Sequence, residues 1–150
     1  MTRTRPPTSA RDSDVADRHE RVARSLVDAF NSREPEAWMA VFHPDVEFRP
    51  SLLVGGRSVY RGHEGVLRYL EQVRADGSEH RSRVRLVRAF SPAHFIVFTE
   101  VMLGDKVISP AAVIVRLAEG RIIEATAYLS DERTLDALGL TPGKRDDPQR

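Results

Sequence analysis

The sequence predicts an α+β domain in which helices come first and an antiparallel meander follows. Three observations predict it. Apolar residues recur at helical spacing as far as Val73, and after Gly77 the pattern changes to long β runs. Gly104-Asp105 and Glu119-Gly120 fall between consecutive runs as hairpin signals. Segregated helices and strands mark α+β rather than alternating βαβ units.

The elements follow in order. Val15, Val22, Leu26 and Phe30 form one stripe, widened by Ala23 and Val27, so a first helix is expected from about Asp14 to Asn31. Pro35 suits the first position of a second helix, which carries Trp38, Val41 and Phe42 inward until His43-Pro44-Asp45 ends it. Short strands are expected at Val46 to Arg49 and at Arg57 to Arg61, joined through a Gly55-Gly56 turn. Gly62 opens a third helix with Val66, Leu67, Leu70 and Val73 as its apolar face. Strands over 79–90, 94–103, 106–117 and 121–129 come next, and a short helix from Asp131 to Leu138 ends at Gly139. Residues 1–13 and 141–150 are polar and lack periodicity, so they read as a disordered arm and tail around one domain spanning 14–140.

Composition narrows the function classes. A chain of 150 residues with 41% hydrophobic residues suits one domain with one core. Its net charge of +1, with both signs interspersed, gives no basic excess for coating nucleic acid or a membrane surface. Lysine occurs only at Lys106 and Lys144, an arginine bias we ascribe to GC-rich coding of the actinobacterial type. Without cysteine there are no disulfides or thiolate metal ligands. The first residues hold no apolar stretch of signal-peptide type, and no apolar run is long enough for a membrane span, so a cytoplasmic location is expected.

The stretches LVDAFNSREPEAWMAVFHPDVEF, YRGHEGVLRYLEQV and EGRIIEATAYLSDERTLDALGL, in that order and spacing, resemble SnoaL-like members of the NTF2-like superfamily over about residues 15–140. The resemblance implies a strongly curved sheet wrapped around the N-terminal helices as a cone. It implies a blind, mostly apolar pocket at the open end, and frequent homodimers. It spans isomerases, cyclases, hydrolases, dehydratases and non-catalytic binders, so the fold does not choose a function. Arg49, Val113 and Ala127 stand where the isomerases and cyclases of this family keep catalytic acids.

Hairpin geometry predicts which residues face the pocket. A two-residue Gly104-Asp105 turn pairs Leu103 with Lys106, which sets Glu100 opposite Ser109 and Phe98 opposite Ala111. For the last hairpin a three-residue loop, Ala118-Glu119-Gly120, is favoured over a two-residue turn, because it asks only glycine for a positive φ. The pocket face then carries Phe98, Glu100, Ser109, Ala111, Val113, Ala125 and Ala127, with Trp38, Phe42, Tyr60 and Tyr69 as core or further wall. The opposite face is also apolar, so cover by a second subunit is expected.

Glu100 is the candidate catalytic acid or base, since an apolar setting suits a carboxylate to proton transfer near neutral pH. The competing reading is an ion pair with a neighbouring arginine. Arg49 is expected at the pocket mouth, binding an anionic group or pairing with Glu47 or Glu100. Arg81, Arg83 and Arg85 read as a solvated strand face, and His19, His43, His63, His80 and His94 show no metal-ligand spacing. The expectation is a pocket for a small apolar or aromatic metabolite, without cofactor or metal, with acid–base chemistry or binding alone. The partners expected are that metabolite and a second copy of the chain, with neither nucleic acid nor membrane.

Overall fold

The computed structural model describes residues 8–50 and 58–142. The Gly55-Gly56 turn, the expected strand start at Arg57, and the outer parts of the expected arm and tail lie outside these residues. Helices α1 (Thr8–Ser32) and α2 (Pro35–Ala40) lead into β1 (Phe42–Arg49). Strand β2 (Tyr60–Arg61) and helix α3 (Gly62–Ala75) follow. Strands β3 (Arg81–Ser91), β4 (His94–Leu103), β5 (Lys106–Ala118) and β6 (Arg121–Tyr128) then precede α4 (Glu132–Ala137). The element order is the expected one. The boundaries that moved furthest are α1, which begins at Thr8 rather than Asp14, and β1, which begins at Phe42 rather than Val46 and so takes Phe42 from the second helix. At the other end Thr141 is buried and its hydroxyl donates to Asp136, so packing extends past Leu140.

The six strands form one curved, unclosed sheet in the order β2-β1-β6-β5-β4-β3, with β1 and β6 parallel and the other pairs antiparallel. Helices α1, α2 and α3 fill its concave side. Their apolar stripes meet it through Leu26, Phe30, Trp38, Val66, Leu70 and Val73, which join Phe42, Phe48, Phe95, Val97 and Val115 in the main core. Arg33, at φ 59, turns the chain out of α1, and its guanidinium donates to the carbonyls of Phe30, Ser78 and His80. That ties the end of α1 to the start of β3, with three charge-assisted bonds to carbonyls at risk on truncation.

Two bulges reset the expected register. Leu103 pairs with Lys106 and Met102 with Val107, but Val101 then pairs with Ser109, and Glu100 with Pro110. The residue skipped is Ile108. A one-residue slip moves every following side chain to the other face. Phe98 and Glu100 therefore lie on the convex side, and Val97, Thr99 and Val101 share the concave side with Ala111 and Val113. The last hairpin takes the two-residue turn, with Glu119 at φ 55 and Gly120 at φ 79, against our expectation of three. A bulge between Arg116 and Leu117 then brings Val113 opposite Ala127. Ala125 and Ala127 thus reach the expected face by a different route.

The convex face is covered in part by the chain itself. Leu135 of α4 is fully buried and clusters with Ile96, Phe98 and Ala112, with Leu140 packed beside them. Helix α4 thus covers this part of the convex face.

One close approach fixes the junction of β2 and α3. A Cβ on Gly65 would stand 2.8 Å from the carbonyl carbon of Tyr60 and 3.2 Å from its Cα. Alanine in place of glycine ordinarily stabilises a helix interior by about 1 kcal/mol. Here the clash is with backbone, and Gly65→Ala is expected to destabilise by about 1–3 kcal/mol instead. Urea denaturation checks the sign; a gain in stability would mean that β2 and α3 are not packed this closely.

Candidate functional site

A cavity of about 50 Å³ lies between the helices and the concave sheet. Helix α1 contributes Leu26, Val27 and Phe30 to its wall, α2 Trp38 and α3 Tyr69. The sheet contributes Phe48 with Pro50, then Ser82, Thr99, Val113 and Ala127 from β3, β4, β5 and β6. The aromatic wall is a packed unit: the Trp38 ring lies 5.9 Å from Phe30, 5.8 Å from Phe48 and 6.3 Å from Tyr69, between centroids. Its indole N–H donates to the Val66 carbonyl at 2.8 Å, which turns the polar edge of Trp38 away from the cavity.

Three hydroxyl-bearing residues, Tyr69, Thr99 and Ser82, interrupt this apolar wall. Among the described residues none of the three hydroxyls has a hydrogen-bond partner, and none is counted among the sealed, unsatisfied atoms, which are His19 Nδ1 and His80 Nε2. These oxygens therefore open onto space a small molecule can enter. Burial pushes the Tyr69 phenol above its ordinary value of 10, so it remains a protonated donor throughout the physiological range. Among the described residues no aspartate, glutamate, histidine, lysine or arginine lines the cavity.

The expected site residues divide accordingly. Trp38, Val113 and Ala127 line the cavity as expected. Ala111 is buried on the same sheet face one step from Val113, and Ser109 borders a second, outer groove. Phe42 is in the core beneath Trp38, at 4.8 Å between rings. Tyr60 packs on Tyr69 at 5.3 Å and donates to Gln72 at 2.6 Å, outside the cavity lining. Phe98 is on the convex face under Leu135.

Glu100 is also on the convex face, where Arg83 holds it with Nε at 3.0 Å and Nη2 at 2.7 Å. Its expected position beside the pocket is thus corrected by the Ile108 bulge, and the competing ion-pair reading is the observed one. Arg49 donates to Glu47 at 2.8 Å on the outer side of β1, while the neighbouring Phe48 points inward. The Arg49 guanidinium holds the Glu47 carboxyl below the usual carboxylate range. The arginine row is paired rather than free: Arg81 donates to the Asn31 carbonyl, Arg83 meets Glu100, and Arg85 meets Glu132.

Sequence reasoning missed Thr99 and Ser82, whereas Tyr69, between Val66 and Val73 on the inward stripe of α3, was expected as core or pocket wall and lines the cavity. Thr99 and Ser82 depended on the bulge.

The fold and this pocket are those of a helix-filled cone. The chain belongs to the SnoaL-like domain family, whose model matches residues 23–125. Comparison with curated proteins gives no match. Among solved structures, a candidate isomerase of the SnoaL-like family from Agrobacterium tumefaciens is 16% identical, with a TM-score of 0.64, over 77% of this chain and 99% of that one. A candidate ketosteroid isomerase from Kribbella flavida is 19% identical, with a TM-score of 0.62, over 89% and 90%. A de novo designed protein with a curved β-sheet is 20% identical, with a TM-score of 0.60, over 83% and 94%. At such identities the likeness shows the fold. Among the described residues no helix is long and apolar enough to cross a membrane, and no group of three potential metal ligands occurs.

Proposed function

We propose that this chain is a binding protein whose inner cavity takes a small, neutral molecule with an apolar body and a carbonyl or hydroxyl oxygen. The observation that carries this reading is the trio of unpartnered hydroxyls, Tyr69, Thr99 and Ser82, in an otherwise apolar wall. Buried polar groups are ordinarily paired, so three that open onto one cavity suit a ligand oxygen. A charged ligand is disfavoured, because the described lining offers no countercharge to offset its desolvation. The volume of about 50 Å³ favours a group of a few heavy atoms over a multi-ring ligand. Binding without turnover is preferred to acid–base catalysis, since Glu100 faces away and is held by Arg83.

Thermal shift and tryptophan-emission titrations with small neutral ketones and alcohols, cyclohexanone among them, test the reading. Trp38 is the sole tryptophan and lines the cavity, so its emission reports occupancy. Tyr69→Phe removes one donor and is expected to weaken binding by about 1 kcal/mol, or about fivefold in Kd. Glu100→Gln is expected to bind as wild type. Undiminished affinity in Tyr69→Phe would overturn the hydroxyl assignment, and turnover abolished by Glu100→Gln would overturn binding without catalysis.

A further inference from the structure

A second, open groove of about 350 Å³ lies along the same concave face. Its walls continue those of the inner cavity strand by strand. Ser82 of the cavity is followed two residues back by His80 of the groove, Thr99 two residues on by Val101, and Ala127 two residues on by Leu129. A step of two keeps to one face along β4, while His80 and Leu129 lie one residue beyond the ends of β3 and β6. Three chain segments thus step from one compartment to the other in the same direction. The His80 ring stands at the boundary, buried, 5.6 Å from the Phe30 ring that lines the cavity. His80 Nδ1 contacts the Ser78 hydroxyl, and Nε2 has no partner.

The compartments differ in chemistry. The inner one is aromatic and bears hydroxyls, whereas the outer one sets the aliphatic Val101, Leu103, Ile108 and Leu129 beside a polar edge of Ser78, Glu79, His80 and Ser109. Leu103, Ile108 and Leu129 in the groove are 52%, 53% and 46% exposed. Large aliphatic side chains left this open along a concave wall suit an aliphatic occupant. Building on the binding function proposed above, we infer that cavity and groove form one site for a linear amphiphile, with a neutral oxygen-bearing head against Tyr69, Thr99 and Ser82 and a saturated tail along Val101, Ile108 and Leu129.

Primary alkanols from butanol to octanol, titrated against Trp38 emission, test this inference. Each added methylene that enters the groove should tighten binding about fourfold. Ile108→Asp combined with Leu129→Asp changes two exposed positions, so the fold is retained while the tail path becomes charged. That variant should keep the butanol affinity and lose the increment per methylene. Tyr69→Phe should weaken all chain lengths by the same factor, because it acts on the head alone. Affinity flat with chain length in wild type, or an unchanged slope in the double variant, would overturn the groove assignment while leaving the inner cavity as a binding site. A Tyr69→Phe loss that varied with chain length would overturn the head-inward orientation. Failure of every alkanol and ketone to bind would overturn both proposals.

Discussion

Trp38→Ala is expected to cost about 3–5 kcal/mol of folding stability. The indole is 1% exposed and is enclosed by Phe30, Phe42, Phe48 and Tyr69. These rings come from α1, β1 and α3, so α2 holds the residue on which the other concave-side elements converge. Truncation removes the largest side chain of that cluster and enlarges a cavity already present, and rigid neighbouring rings leave little scope for collapse. Such a loss is a large fraction of the ~5–15 kcal/mol that stabilises a domain of this kind. Trp38→Phe keeps the ring contact but loses the donor to the Val66 carbonyl, and about 1–2 kcal/mol is expected. Both variants lack tryptophan, so urea denaturation followed by far-ultraviolet circular dichroism is the measurement. A cost below about 1 kcal/mol for Trp38→Ala would mean that the aromatic wall does not pack as a unit.

The extent to which this architecture is legible in the sequence depends on the scale of the feature. Periodicity located every element, because burying an apolar stripe on a helix or a strand leaves a repeat over many residues. Turn chemistry located the last two hairpins, and a helix end was visible too: Gly139 takes φ 73 just past α4, as a helix stop there requires. What escaped was the face of β4. Its assignment rested on one count across the Gly104-Asp105 turn, and a bulge changes such a count by one without any composition signal of its own. Pro110 was the available warning. A proline in a central strand is confined to bulges and irregular positions, and it sits two residues after the skipped Ile108.

That single residue carried the functional error as well. With the unbulged register Glu100 enters the pocket and appeals as a general acid or base. With the observed register it crosses to the arginine-rich side and meets Arg83, while Thr99 takes the inward place. A hydroxyl in place of a carboxylate changes what the cavity can do. It can donate to or accept from a ligand oxygen, but it cannot take up a proton near neutral pH. The three positions that the family resemblance led us to expect as acid sites are arginine, valine and alanine here, and two of them, Val113 and Ala127, are themselves cavity wall.

The second large effect is expected on the other side of the sheet. Leu135→Ala should cost about 2–5 kcal/mol, the range for a fully buried leucine. Helix α4 has six residues, far too few to persist in water by its own hydrogen bonds. Besides Leu135, α4 presents Glu132 to the convex face, where its two oxygens meet Arg85 at 3.1 Å and Arg88 at 2.8 Å. Both guanidinium groups also lie over the Phe98 ring, at 5.6 and 5.9 Å. Partly exposed ion pairs of this sort contribute only about 0–1 kcal/mol each, so Glu132→Gln should be mild by comparison. Leu135 is therefore the main anchor, and its loss should release α4 before the core opens. Hydrogen exchange checks this directly: amides of 132–140 should lose protection in Leu135→Ala while those of β4 and β5 keep theirs. Release would also bare Ile96, Phe98 and Ala112, an apolar patch that should make the variant self-associate more strongly than wild type in sedimentation. Unchanged protection of α4 in Leu135→Ala would show that the helix is held by something other than this leucine.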